Sequence, residues 1–392
     1  MWFYVLACLL VLIAYYSLRP DPEPLFGVYS QPGKWYWLKY SVFYAFLFFR
    51  RWGLAWNAGY GRKARATLDE LDDVQQLSEH PLAIDAAYFN GYSADGVYFG
   101  AGIQRRPKGR VESLMFIRVP NLGILEWPFS PSTATTEAEP HTYSAKGGLR
   151  FIRRIAMKSW RVAFDGQLQI RETKELVKVN FDLIWTATTD WFDFDTDMHA
   201  HPVCEAIARE KWDRAFFDRL RDAHQTHHEQ FGVLKGPLRI EGQPEMDLEL
   251  KSMRDHSYGL YRDWADFNRY ILQYLAFDDG SHVALHLVSL KPTMTHLVTG
   301  FVTLRDGSKM PVYACDRPLH TIGEDGQPPD KYQFTLTAGA RRFHIECEKV
   351  QAPVYYCGWK QEAKLNVYMC KASMNGVEGR GMCEFEYSNL PQ

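Results

Sequence analysis

The chain has 392 residues, enough for two domains of ordinary size that each bury a full core. Charged residues make up 23% of the sequence and the formal net charge is -2, which argues against nucleic acid as the principal partner, because phosphate binding needs a concentrated basic surface. Aromatic residues make up 15%, a share that fits apolar cavities or interfacial surfaces.

Residues 1–19 are predicted to form a transmembrane anchor. Residues 2–18 carry no charge and are mostly aliphatic or aromatic, at the lower end of the length that a spanning helix needs. The segment could also be a signal-peptide core, but no small-x-small cleavage site follows it. Arg19, Lys34 and Lys39 lie on its carboxyl side. The positive-inside tendency therefore predicts a body in the cytosol, at the endoplasmic reticulum or another endomembrane.

A second aromatic segment, residues 34–52, is predicted to be a helix lying at the membrane interface. Lys39 lies inside it and Arg50 and Arg51 near its end, so a spanning helix would bury a lysine. The alternative is a buried helix that packs on the β body. Residues 53–81 follow as a glycine-rich, basic linker and a short polar helix over residues 67–78.

From residue 86 onward, alternation of apolar and polar residues predicts mostly β structure. Strands are predicted across residues 88–186 and 238–387, as antiparallel barrels or sandwiches with one apolar face. Asp-Gly pairs, which tight hairpins favour, occur at 95–96, 165–166, 279–280, 306–307 and 325–326. The polar stretch 130–148 is predicted to be an exposed loop, and residues 203–229 a helix with an apolar face.

These patterns predict two β domains with an N-terminal membrane helix and a helical insertion. The first β domain takes residues 82–235, including the helix over 203–229, and the second takes residues 236–392. The 7 cysteines have no CxxC spacing. We therefore predict reduced, buried thiols and no zinc site.

Residues 253–264 concentrate acidic, imidazole, hydroxyl, guanidinium and aromatic side chains between two strand-like runs. Asp255 and His256 could act as a catalytic acid–base pair if burial raised the pKa of the aspartate. The predicted ligand-binding residues around them are Arg254, Ser257, Tyr258, Tyr261, Arg262 and Trp264. Alternatively, Asp255 caps backbone amides and Arg262 pairs with Asp263 or Asp266. Because adjacent strand residues point to opposite faces, the catalytic pair can share a cavity only in an irregular loop.

The run Arg254-Asp-His-Ser-Tyr-Gly259, followed by Arg262-Asp-Trp264, resembles the signature of the tandem lipocalin-like superfamily. This superfamily includes carotenoid hydratases, fungal survival-factor proteins and several fungal pericyclases. Weaker similarities lie at 91–102, 228–232 and 379–384, so the resemblance covers residues 82–387. It implies two lipocalin-like β-barrels around an apolar cavity, and for Asp255, beside His256, the role of the acid that protonates an alkene.

The chain departs from the usual motif at two places. Tyr258 stands where tryptophan is common, and Lys251-Ser-Met253 replaces glycines before Arg254. These departures bear on the catalytic role more than on the fold.

Two further segments could bind a metal ion. His224, His227 and His228 would share one face of the predicted helix, at a spacing that could hold a transition metal, or they could interact with the helix dipole. Residues 193–201 alternate carboxylates and imidazoles, which could bind a cation or cap the next helix. We predict no metal site and no cofactor.

Two functions of different classes remain open. One is a membrane-anchored binding or transfer protein that holds a lipid or isoprenoid in a β-barrel cavity. The other is a hydratase-type or cyclase-type enzyme that uses Asp255 as a general acid on an apolar, alkene-containing substrate. A third interpretation, a structural adaptor, predicts barrels filled by their own side chains. Fold does not decide among them.

Overall fold

The structure, a computed structural model, describes residues 2–56, 67–136 and 142–391. Residues 57–66 of the predicted linker and residues 137–141 of the predicted loop lie outside the described residues. The α-helices of the described part are α1 (Trp2–Leu18), α2 (Tyr36–Trp56), α3 (Leu68–Leu71), α4 (Ala200–Arg209) and α5 (Arg214–Asp222).

Both N-terminal aromatic segments form helices, as predicted. α1 has 17 residues. At ~1.5 Å per residue this length reaches ~26 Å, less than the ~30 Å hydrocarbon core of a bilayer. Among the described residues, no helix is both long enough and apolar enough to cross a membrane. The spanning anchor predicted for residues 1–19 is therefore not supported.

α2 is buried along one face and exposed along the other. Its residues Tyr36, Phe43 and Leu47 are buried, and the last two pack with α4 and α5. On the other face, Trp37 and Phe48 are exposed. The polar helix predicted over 67–78 is shorter, because only α3 forms there, with Thr67 and Glu70 as a reciprocal capping box.

The first β domain is a closed antiparallel barrel. Its ring runs β11–β12–β1–β2–β3–β4–β8–β9, and β9 pairs with β11 to close it. Alternation drives the closure: in β9, Val179, Phe181, Leu183 and Trp185 all face the core. The strands are β1 (Ile84–Tyr92), β2 (Tyr98–Arg105), β3 (Arg110–Val119), β4 (Gly123–Glu126), β5 (Ala134–Thr136), β6 (Tyr143–Ala145), β7 (Leu149–Ile155), β8 (Ser159–Ile170), β9 (Leu176–Ala187), β10 (Phe192–Asp193), β11 (Gln225–Ile240) and β12 (Met246–Gly259).

The second β domain is a second closed antiparallel barrel. Its ring runs β13–β14–β15–β16–β17–β18–β20–β21, and β21 pairs with β13. Gly280 and Gly307, with φ of 86° and 81°, form the tight turns predicted from two of the Asp-Gly pairs. The strands are β13 (Phe267–Phe277), β14 (His282–Leu290), β15 (Met294–Thr303), β16 (Lys309–Cys315), β17 (Lys331–Ala338), β18 (Arg341–Gln351), β19 (Val354–Cys357), β20 (Ala363–Met374) and β21 (Val377–Ser388).

Apolar side chains fill the centre of each barrel. Phe89, Trp160 and Trp185 belong to one continuous cluster in the first barrel, and Ile271 and Phe334 belong to another in the second. A ligand held at the centre of a barrel, as the sequence predicts, would have to displace these side chains.

The two barrels face each other through β1 of the first and β21 of the second, and side chains of β13 belong to the same apolar cluster as Tyr92 and Tyr98. Tyr92 and Tyr98 pack against the second barrel and donate hydrogen bonds to the carbonyls of Tyr274 and Cys370, at 3.4 and 3.0 Å. Aromatic burial thus holds the barrels together.

Three predicted boundaries are corrected. β11 and β12 belong to the first barrel, so this domain ends at Gly259 and the predicted division between residues 235 and 236 falls inside β11. The helix predicted over 203–229 is the pair α4 and α5, and residues 225–229 begin β11. The loop predicted over 130–148 contains β5 and β6, in which Tyr143 is buried. Polar residues on both faces of these segments hide the strand alternation.

Candidate active site

The motif residues 254–259 lie in strand β12, between β1 and β11 in the wall of the first barrel. Because successive strand residues point to opposite faces, Arg254, His256 and Tyr258 point to the inner face. Asp255 and Ser257 point toward the second barrel. The irregular loop in which Asp255 and His256 would share one cavity is therefore not formed.

Arg254 acts as a buried structural cation. Its side chain is 1% exposed, and Nη1 donates to Asp72 Oδ1 at 2.6 Å. The guanidinium lies over the rings of Trp160 and Trp185, at 5.5 and 5.1 Å from their centroids. Arg254 therefore contacts side chains of the protein itself, whereas the sequence predicts that it binds a ligand.

Asp72, which follows α3 and which the sequence did not single out, is the partner of several groups inside the barrel. Its Oδ2 accepts from the Met157 amide at 2.6 Å and from Trp160 Nε1 at 3.1 Å. Burial raises the pKa of Asp72, but Arg254 and His228 outweigh it and hold the pKa well below its usual value. Burial lowers the pKa of His228 to about 3, so this imidazole is neutral at physiological pH.

His256 belongs to a buried network with Asp85 and Tyr143. Its Nε2 lies 2.8 Å from Asp85 Oδ1 and 2.8 Å from the Tyr143 hydroxyl, which itself donates to Asp85 Oδ1 at 2.5 Å. Arg105 donates to the other oxygen of Asp85 at 2.6 Å. Because all of these side chains are buried, the network stabilises the barrel end. The position of Tyr143 in a stretch without periodicity concealed it from sequence reasoning.

Asp255 faces the space between the barrels. Its cross-strand neighbours are Glu229 on β11 and Tyr88 on β1. Gly102 makes room for the Tyr88 ring, since a Cβ at this glycine would lie 3.1 Å from Tyr88 Cδ2. In the described part of the chain, the Asp255 side chain has no hydrogen-bond partner. Burial, with the negative charges of Glu229 and Glu384, raises the pKa of Asp255 to about 7.

Two imidazoles hold Glu229 as an anion. Glu229 Oε1 lies 3.0 Å from His227 Nε2 and 2.9 Å from His286 Nε2, and it accepts from the Tyr274 hydroxyl at 3.1 Å. Burial raises the pKa of Glu229, but His286 and His227 outweigh it and lower the pKa to about 2. Two neighbouring carboxyl groups therefore have different states near neutral pH: Glu229 is ionised, whereas Asp255 is about half protonated.

Glu384 brings a further acid from the second barrel. Its side chain is buried, and Tyr270 donates to Glu384 Oε2 at 3.4 Å. Burial raises the pKa of Glu384 to about 7. The sequence similarity at 379–384 ends on this residue and is the signal that could have identified it.

The other predicted ligand-binding residues lie around the end of β12. Arg262 Nη2 donates to Ser257 Oγ at 2.8 Å, on the side of the strand that carries Asp255. Among the described residues, Arg262 forms no ion pair with the aspartates that follow it. Trp264 and Tyr261 donate to neighbouring carboxylates at 2.9 and 2.8 Å. Arg262 and Ser257 are thus placed on the Asp255 side.

Tyr258, at the end of β12, lines a cavity of about 970 Å³ at the end of the first barrel. Residues of α2, α4 and α5 cover this helix-covered cavity, and the ends of β1, β11 and β12 form its floor. Phe194 also lines it and stacks on His286, with ring centroids 5.1 Å apart. The cavity therefore adjoins the imidazoles that hold Glu229, although Asp255 is not one of its lining residues.

The histidine-rich segments adopt other structures than the predicted metal sites. His227 and His228 lie on a strand, so they point to opposite faces, and His224 contacts an aspartate at 2.5 Å. In the segment 193–201, His199 is the N-cap of α4 and its side chain accepts a backbone hydrogen bond. The capping alternative is therefore confirmed for this segment.

Two sets of donors in the described residues lie close enough together to hold a metal ion, namely Asp72 with His228 and His256, and Glu229 with His227 and His286. In the first set, Asp72 is already bonded to the Arg254 cation. In the second set, both imidazoles contact the same oxygen of Glu229. The absence of a metal site stays a prediction.

The fold is similar to that of several solved structures at low sequence identity. The crystal structure of kievitone hydratase from Nectria haematococca matches with a TM-score of 0.50 and 10% identity, over 84% of this chain and 96% of that chain. A protein assigned as AttH from Nitrosomonas europaea matches with a TM-score of 0.49 and 12% identity, over 79% and 94% of the two chains. CghA matches with a TM-score of 0.46 and 10% identity, over 80% and 90%.

No curated protein matches the sequence. The match to the kievitone hydratase structure, together with the two closed barrels, shows a shared fold. A family model covers nearly the whole chain. The chain belongs to the family that this model defines, a family of unknown function (DUF8627) that matches residues 3–387.

Proposed function

We propose that this protein is an acid–base enzyme of the hydratase or cyclase type that acts on a hydrophobic, alkene-containing small molecule. The observation that carries the proposal is Asp255, a carboxyl group between the two barrels whose pKa is raised by burial to about 7. An ordinary aspartate is ionised at neutral pH and cannot donate a proton to an alkene. Because its pKa is about 7, Asp255 still carries this proton in about half of the molecules at pH 7.

In the proposed reaction, the Asp255 carboxyl transfers its proton to one alkene carbon, and the adjacent carbon becomes cationic. Water, or a nucleophilic group within the substrate, forms the new bond to this carbon and releases a proton, which the Asp255 carboxylate takes back. The rings of Tyr88 and Tyr274 and the fixed negative charge of Glu229 would stabilise the cationic carbon. Asp255 is therefore regenerated at the end of each cycle.

The likeness to kievitone hydratase agrees with this proposal, because that protein's name states a hydration reaction. Since one fold hosts many activities, the support for catalysis comes from the arrangement of Asp255, Glu229 and Glu384.

The proposed reaction should slow as the pH rises through about 7. Because burial raises the pKa of Asp255 to about 7, the carboxyl group holds its proton below this pH and loses it above. Apolar alkenes can be screened in D₂O, since enzymatic protonation places deuterium on carbon, which mass spectrometry detects. For a substrate found in this way, kcat should be level in mild acid and fall about tenfold per pH unit in alkali. A rate that rises with pH over the same range would exclude Asp255 as the acid.

The second candidate function is binding or transfer of a hydrophobic molecule. The observation that favours it is the helix-covered cavity, whose lining includes Tyr258 and Phe194 but not Asp255. A carrier could hold its ligand there without using the acid. Replacement of Asp255 separates the two functions, because an enzyme would lose turnover whereas a carrier would keep its affinity.

We also propose that the N-terminal helices hold the protein on a membrane surface. Tyr4, Val11 and Leu18 on α1 and Trp37 and Phe48 on α2 are all more than half exposed. Apolar helical faces of this kind bind at the boundary between headgroups and acyl chains, and nearby basic residues strengthen attachment to anionic lipids. The barrels would then lie on the cytosolic side of the endoplasmic reticulum or another endomembrane.

Membrane attachment should weaken when the exposed face of α2 becomes charged. In co-sedimentation with vesicles that contain an anionic phospholipid, Trp37→Glu combined with Phe48→Glu should lower the partition coefficient at least about tenfold, because each large apolar side chain contributes roughly 1.5–3 kcal/mol when buried. Ile155→Glu is the matched control, since Ile155 is 58% exposed on the first barrel. Equal binding of both variants would contradict attachment through α2.

A further inference from the structure

The helix-covered cavity has an apolar body. Phe43, Phe46, Trp212, Phe217 and Leu220 line it, and its volume of about 970 Å³ lies within the usual range for small-molecule sites, roughly 300–1,000 Å³. Side chains of α2 attach this helix to α4. Tyr36 and Tyr40 bond to α4, at 3.0 Å to Glu205 and 2.8 Å to His201.

The second half of α2 brings two arginines to the same cavity. Arg50 and Arg51 line it, and Arg51 donates to the Met198 carbonyl at 2.6 Å. Among the described residues, neither guanidinium has a carboxylate partner. By contrast, Arg221, which also lines the cavity, pairs with Asp218 at 3.0 Å.

We propose that the helix-covered cavity binds an amphipathic lipid with one anionic headgroup, a long-chain carboxylate, whose chain lies among the aromatic residues and whose head pairs with Arg50 and Arg51. Guanidinium groups bind carboxylates through two parallel hydrogen bonds, and this match makes arginine the preferred partner. A neutral isoprenoid would leave both cations without a counterion. This ligand would be the substrate class of the enzyme described under the proposed function, so the inference rests on that function.

The position of the cavity suits a ligand that comes from a bilayer. The exposed aromatic residues of α2 lie on the same helix as Arg50 and Arg51, so the proposed membrane contact and the proposed headgroup site share one helix. At its inner end, Phe194 contacts His286 and His227, the imidazoles that hold Glu229, at 5.1 and 4.5 Å between ring centroids. A chain that turns the Phe194 ring aside would approach the space in front of Asp255.

The test measures binding of oleate to the full-length protein, by displacement of a fluorescent fatty acid, with methyl oleate as the neutral counterpart. Oleate should bind at least about tenfold more tightly than the ester. Arg50→Gln combined with Arg51→Gln should raise the oleate dissociation constant about 10–100-fold, because hydrogen bonds between charged groups are stronger than those between neutral groups. Arg214→Gln combined with Arg305→Gln is the matched control, since these exposed arginines do not line the cavity.

The outcomes separate this proposal from the catalytic one. Equal binding of oleate and its ester, no binding of either, or full oleate binding by the double variant at 50 and 51 would each overturn the anionic-lipid site. Asp255→Asn should bind oleate as the unmodified protein does, so a loss of turnover without a loss of binding concerns the catalytic proposal alone. If oleate binds as expected but no alkene is ever protonated, only the proposed enzyme activity fails.

Discussion

Replacing Arg254 with leucine is expected to lower the free energy of unfolding by about 3–5 kcal/mol, because it leaves the buried Asp72 carboxylate without its cation. The Arg254 side chain is 1% exposed and Asp72 is fully buried, at an N–O distance of 2.6 Å. Urea unfolding followed by tryptophan fluorescence measures the change, since Trp160 and Trp185 lie against the guanidinium.

The control for this variant is an ion pair on the same barrel that water screens. Arg161 and Asp182 pair at 2.7 Å with both side chains 44% exposed, so Arg161→Leu should change the stability by less than about 1 kcal/mol. Adding Asp72→Asn to Arg254→Leu should restore part of the lost stability, because asparagine removes the buried charge and keeps an acceptor. A double variant less stable than the single one would show that the Asp72 charge is not what destabilises it.

The Asp255→Asn variant is expected to lose turnover by a factor of about 10²–10⁴, the usual contribution of a general acid. Asparagine keeps the size of the side chain and cannot donate a proton of comparable acidity, so the binding of an apolar ligand should change little. The measurement is the kcat for deuterium incorporation together with the dissociation constant.

The matched control for Asp255→Asn is Glu386→Gln. Burial raises the pKa of Glu386 to about 8, so it is another protonated, buried acid, but Asp255 is not among the charges that act on it. Glu386→Gln should retain kcat within a few-fold. Equal rates in Asp255→Asn and the unmodified protein would refute the proposal that Asp255 is a catalytic acid and would favour the binding function.

Asp255→Asn should also be more stable than the unmodified protein in mild alkali. The pKa of Asp255 is about 7 in the folded protein, against a usual value of 3.8. The folded state therefore holds this proton more tightly than the unfolded chain, and stability falls as the pH rises from about 4 to 7. Above pH 7, Asp255→Asn removes a buried charge, so the free energy of unfolding should rise, by about 4 kcal/mol at most.

The sequence predicts the strands well and the ends of the domains poorly. Alternating segments such as β9 show their inward residues directly, and Asp279-Gly280 fixes a hairpin locally. The closure of a barrel depends instead on pairing between distant strands such as β9 and β11, which no local pattern states. The prediction of a helix through residue 229 failed because the first residues of β11 are polar on both faces.

The motif locates the candidate site, but the site lies on a regular strand and not in the predicted irregular loop. Asp255 and His256 stand next to each other in the chain. The alternation of apolar residues that marks a strand is missing here, because one face of β12 contacts a polar network and the other face lies near Glu229 and Glu384. Asp72, Asp85 and Tyr143 come from three separate parts of the chain. Their contacts with Arg254 and His256 depend on the closed barrel, so no local pattern of residues indicates them.

The placement of β12 as a wall shared by two compartments restricts how this family can vary in length. A slip of one residue in this strand would send Arg254 and His256 into the interface and turn Asp255 inward, onto the aromatic core. An insertion or deletion inside β12 would therefore move Arg254 and His256 out of the buried networks of the barrel and remove Asp255 from the space between the barrels. The hairpin at residues 241–245, which is exposed at the far end of the same strands, is where added or lost residues leave this register intact.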